Sequence, residues 1–458
     1  MGGTIIWLRN DLRLSDNCAL NYAHKSGSEV LFLYIFDELT PIGSASKWFL
    51  HKALESFKQD IGQKYNADLL IKSGNPQSVL TEIAKKYSID SIVYNRAYEP
   101  SSIKRDTEIK KHFKQNNVEV KSFNSSLLFE PSRIKNLSGE YFKVFTPFWK
   151  KCISQLSSIE PPHKTPQSLN LLKLDAKESL ALQDLDLLPI KPNWAKNWHN
   201  LYKVSEEEAH NLADDFMNNR MFNYKEGRDF PAGDNTSALS PYLHFGLISP
   251  KQIYFKSLAF DPNANSSCFL SEIGWREFSY YLLFHFPELP TKNFKSKFDN
   301  FLWENDREDL KRWQKGMTGF PLIDAGMRQL WQTGWMHNRV RMVVASFLIK
   351  NLLIDWRIGQ EWFLDCLIDA DLAANSASWQ WVAGSGADAA PYFRIFNPIT
   401  QSQKFDPKGE YIRKWVPEIS HLSDQDIHCP TNIDKYPKAM IDLKFSRDRA
   451  LTIYKKIS

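Results

Sequence analysis

The stretch from residue 334 to residue 397 constrains the fold most, because it sets charged side chains within a long apolar region. Asp369 and Asp371 lie among Ala, Leu and Ile residues in a segment with few other charges. A carboxylate that is buried without hydrogen-bond donors is strongly destabilising, so both side chains need partners. Arg341 is the obvious candidate. The segment therefore predicts helices packed around a polar interior.

The helix that carries Arg341 supports this interpretation. Asn338, Arg341 and Met342 stand at helical offsets of 0, 3 and 4, so three chemically different side chains share one face of an apolar helix. Structural ion pairs and core tryptophans would explain each residue taken singly. The density of such residues in one segment favours a functional site.

Length and composition fit a soluble protein of more than one domain. A chain of 458 residues exceeds one ordinary core, and 43% hydrophobic with 24% charged residues is typical of globular proteins. The net charge of +5 means that any site for a polyanion must be a local patch. The 15 Trp and 30 Phe suit a core, and they also suit stacking on flavins and bases.

The cysteines and the N-terminal sequence indicate an intracellular protein. The five Cys are scattered and form no C-x-x-C pair, which argues against zinc and against a disulfide framework. The first residues, MGGTIIWLRNDLR, include no apolar signal region, and no apolar run is long enough to span a bilayer. We expect a cytoplasmic protein.

Strand and helix patterns alternate over residues 1–130. Five short β-branched runs are separated by helical stretches, of which Lys47 to Ile61 has the clearest apolar stripe. This alternation predicts a Rossmann-like parallel sheet with flanking helices. The first strand is not followed by G-x-G-x-x-G, so a dinucleotide site there is not expected. The predicted strands are Thr4 to Leu8, Glu29 to Phe36, Ala67 to Lys72, Ser91 to Tyr94 and Val118 to Phe123.

The rest of the chain divides into a linker and a helical domain. Residues 131–193 are expected to be an interdomain linker, since the pattern from Ser157 to Asn193 has no sustained period. Residues 194–458 have almost no strand pattern and predict an all-α C-terminal domain.

Two short motifs lie in this helical domain. Thr236 and Ser237 precede Ser240-Pro241, which predicts an N-cap followed by proline at the first helical position and a site for phosphate. Helix capping alone is the alternative explanation. Tyr224 and Arg228, four residues apart, place an aromatic ring and a cation on one helix face.

A third cluster is EIGWREF, residues 272–278. Glu272, Trp275 and Arg276 stand at offsets of 0, 3 and 4, so an acid, a ring and a cation can face one cavity. A surface salt bridge between Glu272 and Arg276 is the alternative, but it leaves Trp275 unexplained.

Together these motifs resemble the photolyase/cryptochrome flavoprotein family, and most of all its bacterial class I cyclobutane pyrimidine dimer photolyases. The similarity rests on WLRNDLRLSDN at 7–17, GWREF at 274–278, TGWMHNRVRM at 333–342, LLIDW ending at Trp356 and DADLAANSASWQW at 369–381. It implies an N-terminal α/β domain and a C-terminal helical domain that holds FAD beside a cavity for a flipped-out lesion.

The resemblance also assigns residues to the cofactor. Asn375 is similar to the residue that faces flavin N5, and Arg341 with Asp369 would form a buried pair. The residues implied to bind FAD are Tyr224, Thr236, Ser237, Ala238, Leu239, Ser240, Trp275, Arg276, Asn338, Arg341, Asp369, Ala370, Asp371 and Asn375.

The implied activity is light-driven repair of UV-damaged DNA, in which photoexcited reduced FAD donates one electron to a cyclobutane pyrimidine dimer and receives it back. Catalytic roles fall on Glu272, Asn338, Met342 and Asn375, and electron transfer on Trp303, Trp356 and Trp379. Trp275 and Trp381 would flank the dimer, whose extraction from the duplex costs a few kcal/mol, while aromatic stacking returns about 1–3 kcal/mol per base. The implied DNA and lesion contacts are Arg228, Glu272, Trp275, Arg276, Asn338, Arg339, Met342, Trp381 and Arg394.

Three other functions stay open. Pyrimidine-pyrimidone (6-4) photolyases have a His pair where this chain has Asn338 and Met342, and neither residue can supply the proton that such repair needs. A cryptochrome-type blue-light photoreceptor would keep the fold without repair. A flavin or nucleic-acid binding module would show neither photoreduction nor preference for damaged strands. We expect no metal, no membrane partner, and a bacterial monomer that associates with the nucleoid after damage.

The antenna chromophore is a separate expectation. Family members that use folate have Asn and Glu soon after a Tyr-Glu pair, where this chain has Tyr98, Glu99, Pro100, Ser101 and Ser102. Lys292 lies in a stretch similar to another antenna contact. We expect methenyltetrahydrofolate, with an empty or different antenna site as the alternative.

Overall fold

The computed structural model describes residues 2–38, 40–260, 262–389 and 393–457. Within these residues the strands form one parallel sheet in the order β3-β2-β1-β4-β5. The Rossmann-like sheet predicted from the sequence is confirmed, and each predicted run corresponds to one strand. The strands are β1 (Gly3–Leu8), β2 (Val30–Phe36), β3 (Leu69–Ser73), β4 (Ile89–Asn95) and β5 (Glu119–Phe123).

Alternating side chains cover both faces of this sheet. Along β1, Ile5 and Trp7 enter an apolar cluster on one face, while Ile6 and Leu8 enter a larger cluster on the other. A parallel sheet is buried on both faces because its crossover helices cover it. Four helices cover this one: α1 (Cys18–Ser26), α2 (Ser44–Tyr65), α3 (Pro76–Lys86) and α4 (Pro100–Gln115).

The chain between the sheet and the helical part is ordered against its neighbours. It contains a short helix, α5 (Phe145–Ile153), which packs against a long helix of the C-terminal part. Farther along, a single parallel bridge joins Leu171 to Val30 at the start of β2. The domain limits at residues 130 and 193 stay a prediction.

From residue 194 onward the described chain is helical, as predicted. Two π-helical turns, Phe216–Arg220 and Phe347–Asn351, interrupt the regular pattern. The helices are α6 (Glu206–Asp215), α7 (Tyr224–Gly227), α8 (Ser240–His244), α9 (Pro250–Ser257), α10 (Ala264–His285), α11 (Arg307–Gln314), α12 (Pro321–Thr333), α13 (Asn338–Ser346), α14 (Trp356–Cys366), α15 (Leu372–Ala383), α16 (Pro398–Phe405), α17 (Glu410–Trp415) and α18 (Leu443–Lys456).

Capping residues fix where two of these helices begin. The His337 ring accepts a hydrogen bond from the Arg339 backbone N–H at 3.2 Å and starts α13. The Asp371 carboxylate accepts from the Ala374 N–H at 2.8 Å and starts α15, which ends at Gly384 in the left-handed region. Side-chain oxygens and ring nitrogens at these positions satisfy N–H groups that a helix leaves free.

The sheet and the helical part share one hydrophobic core. A single cluster runs from Ile6 and Phe49 of the α/β part to Phe245 and Phe278 of the helical part, and the Phe49 and Phe245 rings stack at 5.3 Å. Glu206 at the start of α6 reinforces this contact by accepting hydrogen bonds from the Leu14 and Ser15 N–H groups. The two parts are therefore positioned rigidly against each other.

Neither a membrane-spanning helix nor a metal cluster is found in the described ranges. No helix there is both long and apolar enough to cross a bilayer. Nor do those ranges group three or more His, Cys, Asp or Glu side chains so that they could hold a metal ion.

Gly246 tests the close contact between the two parts. Its φ is 68°, and a Cβ at this position would lie 2.1 Å from the Asn10 carbonyl oxygen. We expect Gly246→Ala to lower the free energy of unfolding by about 2–4 kcal/mol, because the left-handed backbone costs a Cβ-bearing residue about 1–2 kcal/mol and overpacking adds about 1–3 kcal/mol. Urea unfolding measures this change.

Gly27→Ala is the matched control. Gly27 has a similar φ of 71°, but a Cβ there would meet no heavy atom within 4 Å. We expect a loss of only about 1 kcal/mol, from backbone strain alone. Equal losses for the two variants would contradict the close contact at Gly246.

Candidate functional site

The buried charge predicted from the sequence forms a two-pronged ion pair. Arg341 Nη1 and Nη2 donate to the two oxygens of Asp369 at 3.1 and 2.9 Å, and Arg341 Nε donates to the Met336 carbonyl at 2.7 Å. The Asp369 side chain is only 3% exposed, whereas that of Arg341 is 23% exposed. The pair joins α13 to the loop before α15, and part of the guanidinium stays accessible to solvent.

Ser240 extends this pair to α8. Its hydroxyl donates to Asp369 Oδ2 at 2.5 Å. The predicted capping role of Ser240 is wrong: Leu239 is the N-cap residue, and Ser240 and Pro241 occupy the first turn. The Ser240 side chain satisfies the buried carboxylate instead of its own helix.

The segment before α8 leads directly to Ser240 and so lies near the ion pair. Thr236 and Ser237 are half-buried, Ala238 is exposed with a positive φ of 53°, and Leu239 is buried. Tyr224 is buried against the Phe216 and Phe269 rings, and its own ring lies 5.4 Å from the Arg228 guanidinium, as their spacing predicted.

Asp371 has a different set of partners. It accepts a short hydrogen bond from the Tyr280 hydroxyl, and His244 Nδ1 lies 3.6 Å from its Oδ2. Burial opposes ionisation, but the His244 ring, the Arg276 charge and the Tyr280 hydroxyl together lower the pKa of Asp371 to about 2. This carboxylate therefore carries a full negative charge at neutral pH.

Asn375 stands one helical turn beyond Asp371, and its backbone N–H donates to the Asp371 carbonyl at 2.8 Å. Its side-chain N–H donates to the Gln360 carbonyl of α14 at 3.0 Å, which fixes the orientation of the amide. Ala370, between the two aspartates, is buried.

Two ion pairs lie next to each other because Arg228 and Asp229 are neighbours in the chain, and we call them the charged rim. Arg228 pairs with Glu272 across a short contact, and Arg339 Nη2 lies 2.6 Å from Asp229 Oδ1. Arg339 also approaches the Met342 sulfur at 3.9 Å. Four of the residues predicted to contact a lesion or DNA, Arg228, Glu272, Arg339 and Met342, thus belong to these contacts.

Arg276 departs from the predicted arrangement. The salt bridge considered between Glu272 and Arg276 is absent, because Glu272 pairs with Arg228. Arg276 Nη1 instead donates to the Ser126 carbonyl at 2.8 Å, and its guanidinium lies 5.0 Å from the Tyr280 ring. Its predicted role in DNA binding is not supported by this position, which faces the α/β part.

The two tryptophans predicted to flank a lesion are both half-buried. Trp275 stacks one face on Phe145 of α5, with ring centroids 3.9 Å apart and planes inclined by 9°. Trp381 packs against the apolar cluster of the C-terminal helices. Asn338 and Arg394 are exposed.

The predicted electron-transfer tryptophans lie on neighbouring segments. Trp379 and Trp356 are buried on the packed helices α15 and α14, and the Trp379 ring contacts Gly359 of α14. Trp356 Nε1 donates to Asn293 at 2.9 Å. Trp303 is half-buried. The next residue, Glu304, donates its backbone N–H to the carbonyl of Leu353, which lies three residues before Trp356.

Sequence reasoning missed several polar residues of the site. His244 and Tyr280 complete the surroundings of Asp371, and His337 lies beneath the rim with its pKa lowered to about 4 by burial and by Arg341. Two buried carboxylates, Asp369 and Asp371, need more hydrogen-bond donors than Arg341 can supply, and this was the only sequence signal for further polar residues. The sequence does not identify which residues supply these donors.

The region compared with folate antenna sites faces the contact between the two parts. Tyr98 and Glu99 line a narrow cleft with Arg9, His244 and Tyr280, and burial raises the pKa of Glu99. Lys292 does not line that cleft. It lies at the surface and pairs with Glu288 at 2.5 Å.

Comparisons with known proteins agree with this geometry. Residues 4–167 match the family DNA photolyase, and residues 269–456 match the FAD binding domain of DNA photolyase. The deoxyribodipyrimidine photo-lyase of Agrobacterium fabrum is 44% identical over 470 residues, covering 98% of this chain and 97% of that protein. Cryptochrome-2 of Arabidopsis thaliana is 35% identical over 453 residues, covering 93% of this chain and 72% of that protein.

A solved structure extends the similarity to the whole fold. The crystal structure of a bacterial class III photolyase from Agrobacterium tumefaciens superposes with a TM-score of 0.96 at 43% identity, covering 100% of this chain and 98% of that one. With identity at this level along almost the full length, the chain belongs to the photolyase/cryptochrome family.

Proposed function

We propose that this protein is a deoxyribodipyrimidine photo-lyase that uses FAD and blue light to split cyclobutane pyrimidine dimers in DNA. One observation carries the proposal: helix α13 contributes both to the buried polar cluster around Asp369 and to the charged rim. Arg341 reaches inward to Asp369, while Asn338, Arg339 and Met342 lie toward the entrance. A cofactor in the cleft would thus lie next to anything bound at the rim.

The residues around the cleft suit FAD. Arg341 offers N–H donors, Asp369 and Asp371 offer acceptors, and Asn375 offers an amide held by Gln360. A flavin ring has both donor and acceptor groups along its polar edge, so such a mixed set can bind and tune it. The partly exposed Thr236, Ser237 and Ser240 would contact the phosphates.

The cofactor supplies the chemistry, and the chain supplies its surroundings. When bound and reduced, FAD provides on illumination the electron that opens the cyclobutane ring and takes it back afterwards. Asp371 holds a fixed negative charge, Arg341 pairs with Asp369, and Asn375, whose amide is held by the Gln360 carbonyl, would offer that amide to the ring. No side chain needs to act as a nucleophile or a general base.

The rim and its aromatic residues would hold the flipped-out lesion. Trp275, backed by Phe145, presents a rigid ring, and Trp381 would form the opposite wall. Aromatic stacking of about 1–3 kcal/mol per base offsets the cost of taking the dimer out of the duplex. Glu272, Asn338 and Met342 would contact the polar and apolar edges of the dimer.

Phosphate binding would involve a change of partners at the rim. Arg228 and Arg339 are paired with Glu272 and Asp229. Phosphates brought by DNA would compete with these carboxylates for the two guanidinium groups. This arrangement favours affinity that depends on salt and hardly on sequence.

The class I assignment expected from the motifs is not confirmed, and the similarity to a structure of a class III photolyase favours class III. We retain the proposal of repair over a purely photoreceptive role, although Cryptochrome-2 of Arabidopsis thaliana is 35% identical. The DNA substrate, the monomeric state and a cytoplasmic location near the nucleoid belong to the same proposal.

Methenyltetrahydrofolate would need a site for a planar ring, and Glu99 beside Tyr98 offers one hydrogen-bonding group in the cleft between the two parts. A near-ultraviolet absorption band beyond that of flavin in the purified protein would support a pterin.

Repair in light is the direct test. We expect the flavin-loaded, reduced protein to restore pyrimidine absorbance in UV-irradiated oligothymidylate under blue light and not in darkness.

Trp275→Ala should weaken binding of the damaged strand by about 1–3 kcal/mol, because one stacking wall is lost. Trp415→Ala, at a half-buried tryptophan of α17 outside the site, is the control and should bind normally. Damage binding without light-dependent repair would favour a cryptochrome.

Removing Arg341 tests the polar cleft. We expect Arg341→Met to reduce FAD retention and to lower the free energy of unfolding by about 3 kcal/mol, since Asp369 is left buried without its cation. Adding Asp369→Asn should restore most of the stability but not the retention of FAD. Arg447→Met, which breaks an exposed pair with Asp448, should change stability by less than about 0.5 kcal/mol. Full FAD retention in Arg341→Met would contradict the proposed site.

Trp356→Phe tests the electron-transfer residues. We expect it to slow photoreduction of oxidised FAD several-fold, because a phenyl ring is much harder to oxidise than an indole. Repair by chemically reduced protein should be unchanged, since that reaction does not use the chain of tryptophans. Flavin absorbance under blue light with a thiol reductant measures the first rate, and unchanged photoreduction would exclude Trp356 from the route.

A further inference from the structure

Lys350 is a buried lysine that the proposed repair mechanism does not use. It lies in the π-helical turn that follows α13, and only 3% of its surface is exposed. Among the described residues, no carboxylate forms an ion pair with it, and the charged group that acts on it is Arg394. A buried ammonium group without a counter-ion is strongly unfavourable, so its retention here calls for an explanation.

The contacts of Lys350 lead to one surface segment, residues 393–397. Its Nζ donates a short hydrogen bond to the Arg394 backbone carbonyl and lies 4.7 Å from the centre of the Phe393 ring. Ser346, one turn before Lys350, accepts from the Phe396 N–H at 3.2 Å. The π-helical turn therefore holds this segment from beneath, while the Arg394 side chain is exposed above it.

We propose that Lys350 is a positioning residue for Arg394, and that DNA binding at Arg394 is coupled to uptake of a proton by Lys350. The inference rests on the proposed DNA-binding function, since Arg394 belongs to the predicted phosphate contacts. It gives the buried lysine a role in the strength of binding and in its dependence on pH.

The charges around Lys350 determine the direction of the coupling. Burial, and then the Arg394 charge, lower the pKa of Lys350 to about 7. Other charged and titratable groups lie on the neighbouring elements. Arg449 of α18 donates to the Asn351 carbonyl and pairs with Glu304. Tyr454 stacks on Phe393, and Lys297 lies over the Tyr454 ring. A phosphate at Arg394 would offset its repulsion of Lys350 and would raise the pKa of Lys350.

The sign of the pH effect follows. A group whose pKa rises on binding takes up a proton, and its contribution to binding is full below the pKa of the free protein. That contribution is lost as pH rises through the pKa of the complex. Affinity for DNA should therefore fall above about pH 7, by about tenfold for each unit by which binding raises the pKa of Lys350. His337 does not interfere, because its pKa of about 4 keeps it neutral in this range.

The experiment measures binding of the flavin-loaded protein to UV-irradiated oligothymidylate in darkness, from about one unit below to about two units above this pKa. Calorimetry in two buffers of different ionisation enthalpy counts the protons taken up. We expect proton uptake and a falling affinity for the natural chain. Lys350→Met should bind more weakly at low pH, with a flat profile and no proton uptake.

Two further variants separate this role from a structural one. Lys350→Arg keeps a permanent charge, so its affinity should stay high and its profile should be flat. Lys297→Met removes an exposed charge near the same aromatic cluster and should keep the slope of the natural chain. Flavin absorbance and the thermal unfolding midpoint verify that each variant is folded.

The outcomes are distinct. A flat profile for the natural chain, or an unchanged slope in Lys350→Met, would overturn the role of Lys350 while leaving DNA binding intact. No preference of the natural chain for irradiated over unirradiated strands at any pH would overturn the proposed function itself.

Discussion

The bidentate contact between Arg341 and Asp369 is the interaction on which the rest of the site depends. It is the point where α13, the loop before α15 and the start of α8 meet, because Ser240 donates to the same carboxylate. A buried ion pair of this kind adds little to stability compared with apolar packing. Its directional hydrogen bonds fix the relative positions of three elements. An apolar contact is not directional and would fix these positions less precisely.

The second aspartate shows how neighbouring carboxylates come to differ. Asp369 is satisfied mainly by a formal positive charge, whereas Asp371 relies on a phenol hydroxyl, a histidine ring and a helix N-terminus. The two thus present different electrostatic surroundings to one cleft. A ring system with a polar edge and an apolar edge can be held between them and oriented in a single way.

The sequence predicted the fold well because its signals were local. Short runs rich in β-branched residues, separated by helical stretches, predicted the five strands of the sheet. The family motifs identified Arg341, Asp369 and Asn375. Features that depend on tertiary contacts were beyond such reasoning: Glu272 pairs with Arg228 on another helix, and Ser240 turns from its own helix to Asp369. A helical offset says which side chains can meet, and packing decides which of them do.

The rim and the core beneath it illustrate how a stable scaffold can support an adaptable surface. Arg228 and Arg339 carry their own acidic partners, yet each partner is only partly buried and can be exchanged for a phosphate. The Arg394 backbone is held by Lys350, for which no ion pair with a carboxylate is found in the described part of the chain. Surface charge that is paired sets the salt dependence of binding, whereas buried charge that is unpaired makes binding sensitive to protons. One protein can therefore respond to both conditions through two structurally separate sets of cations.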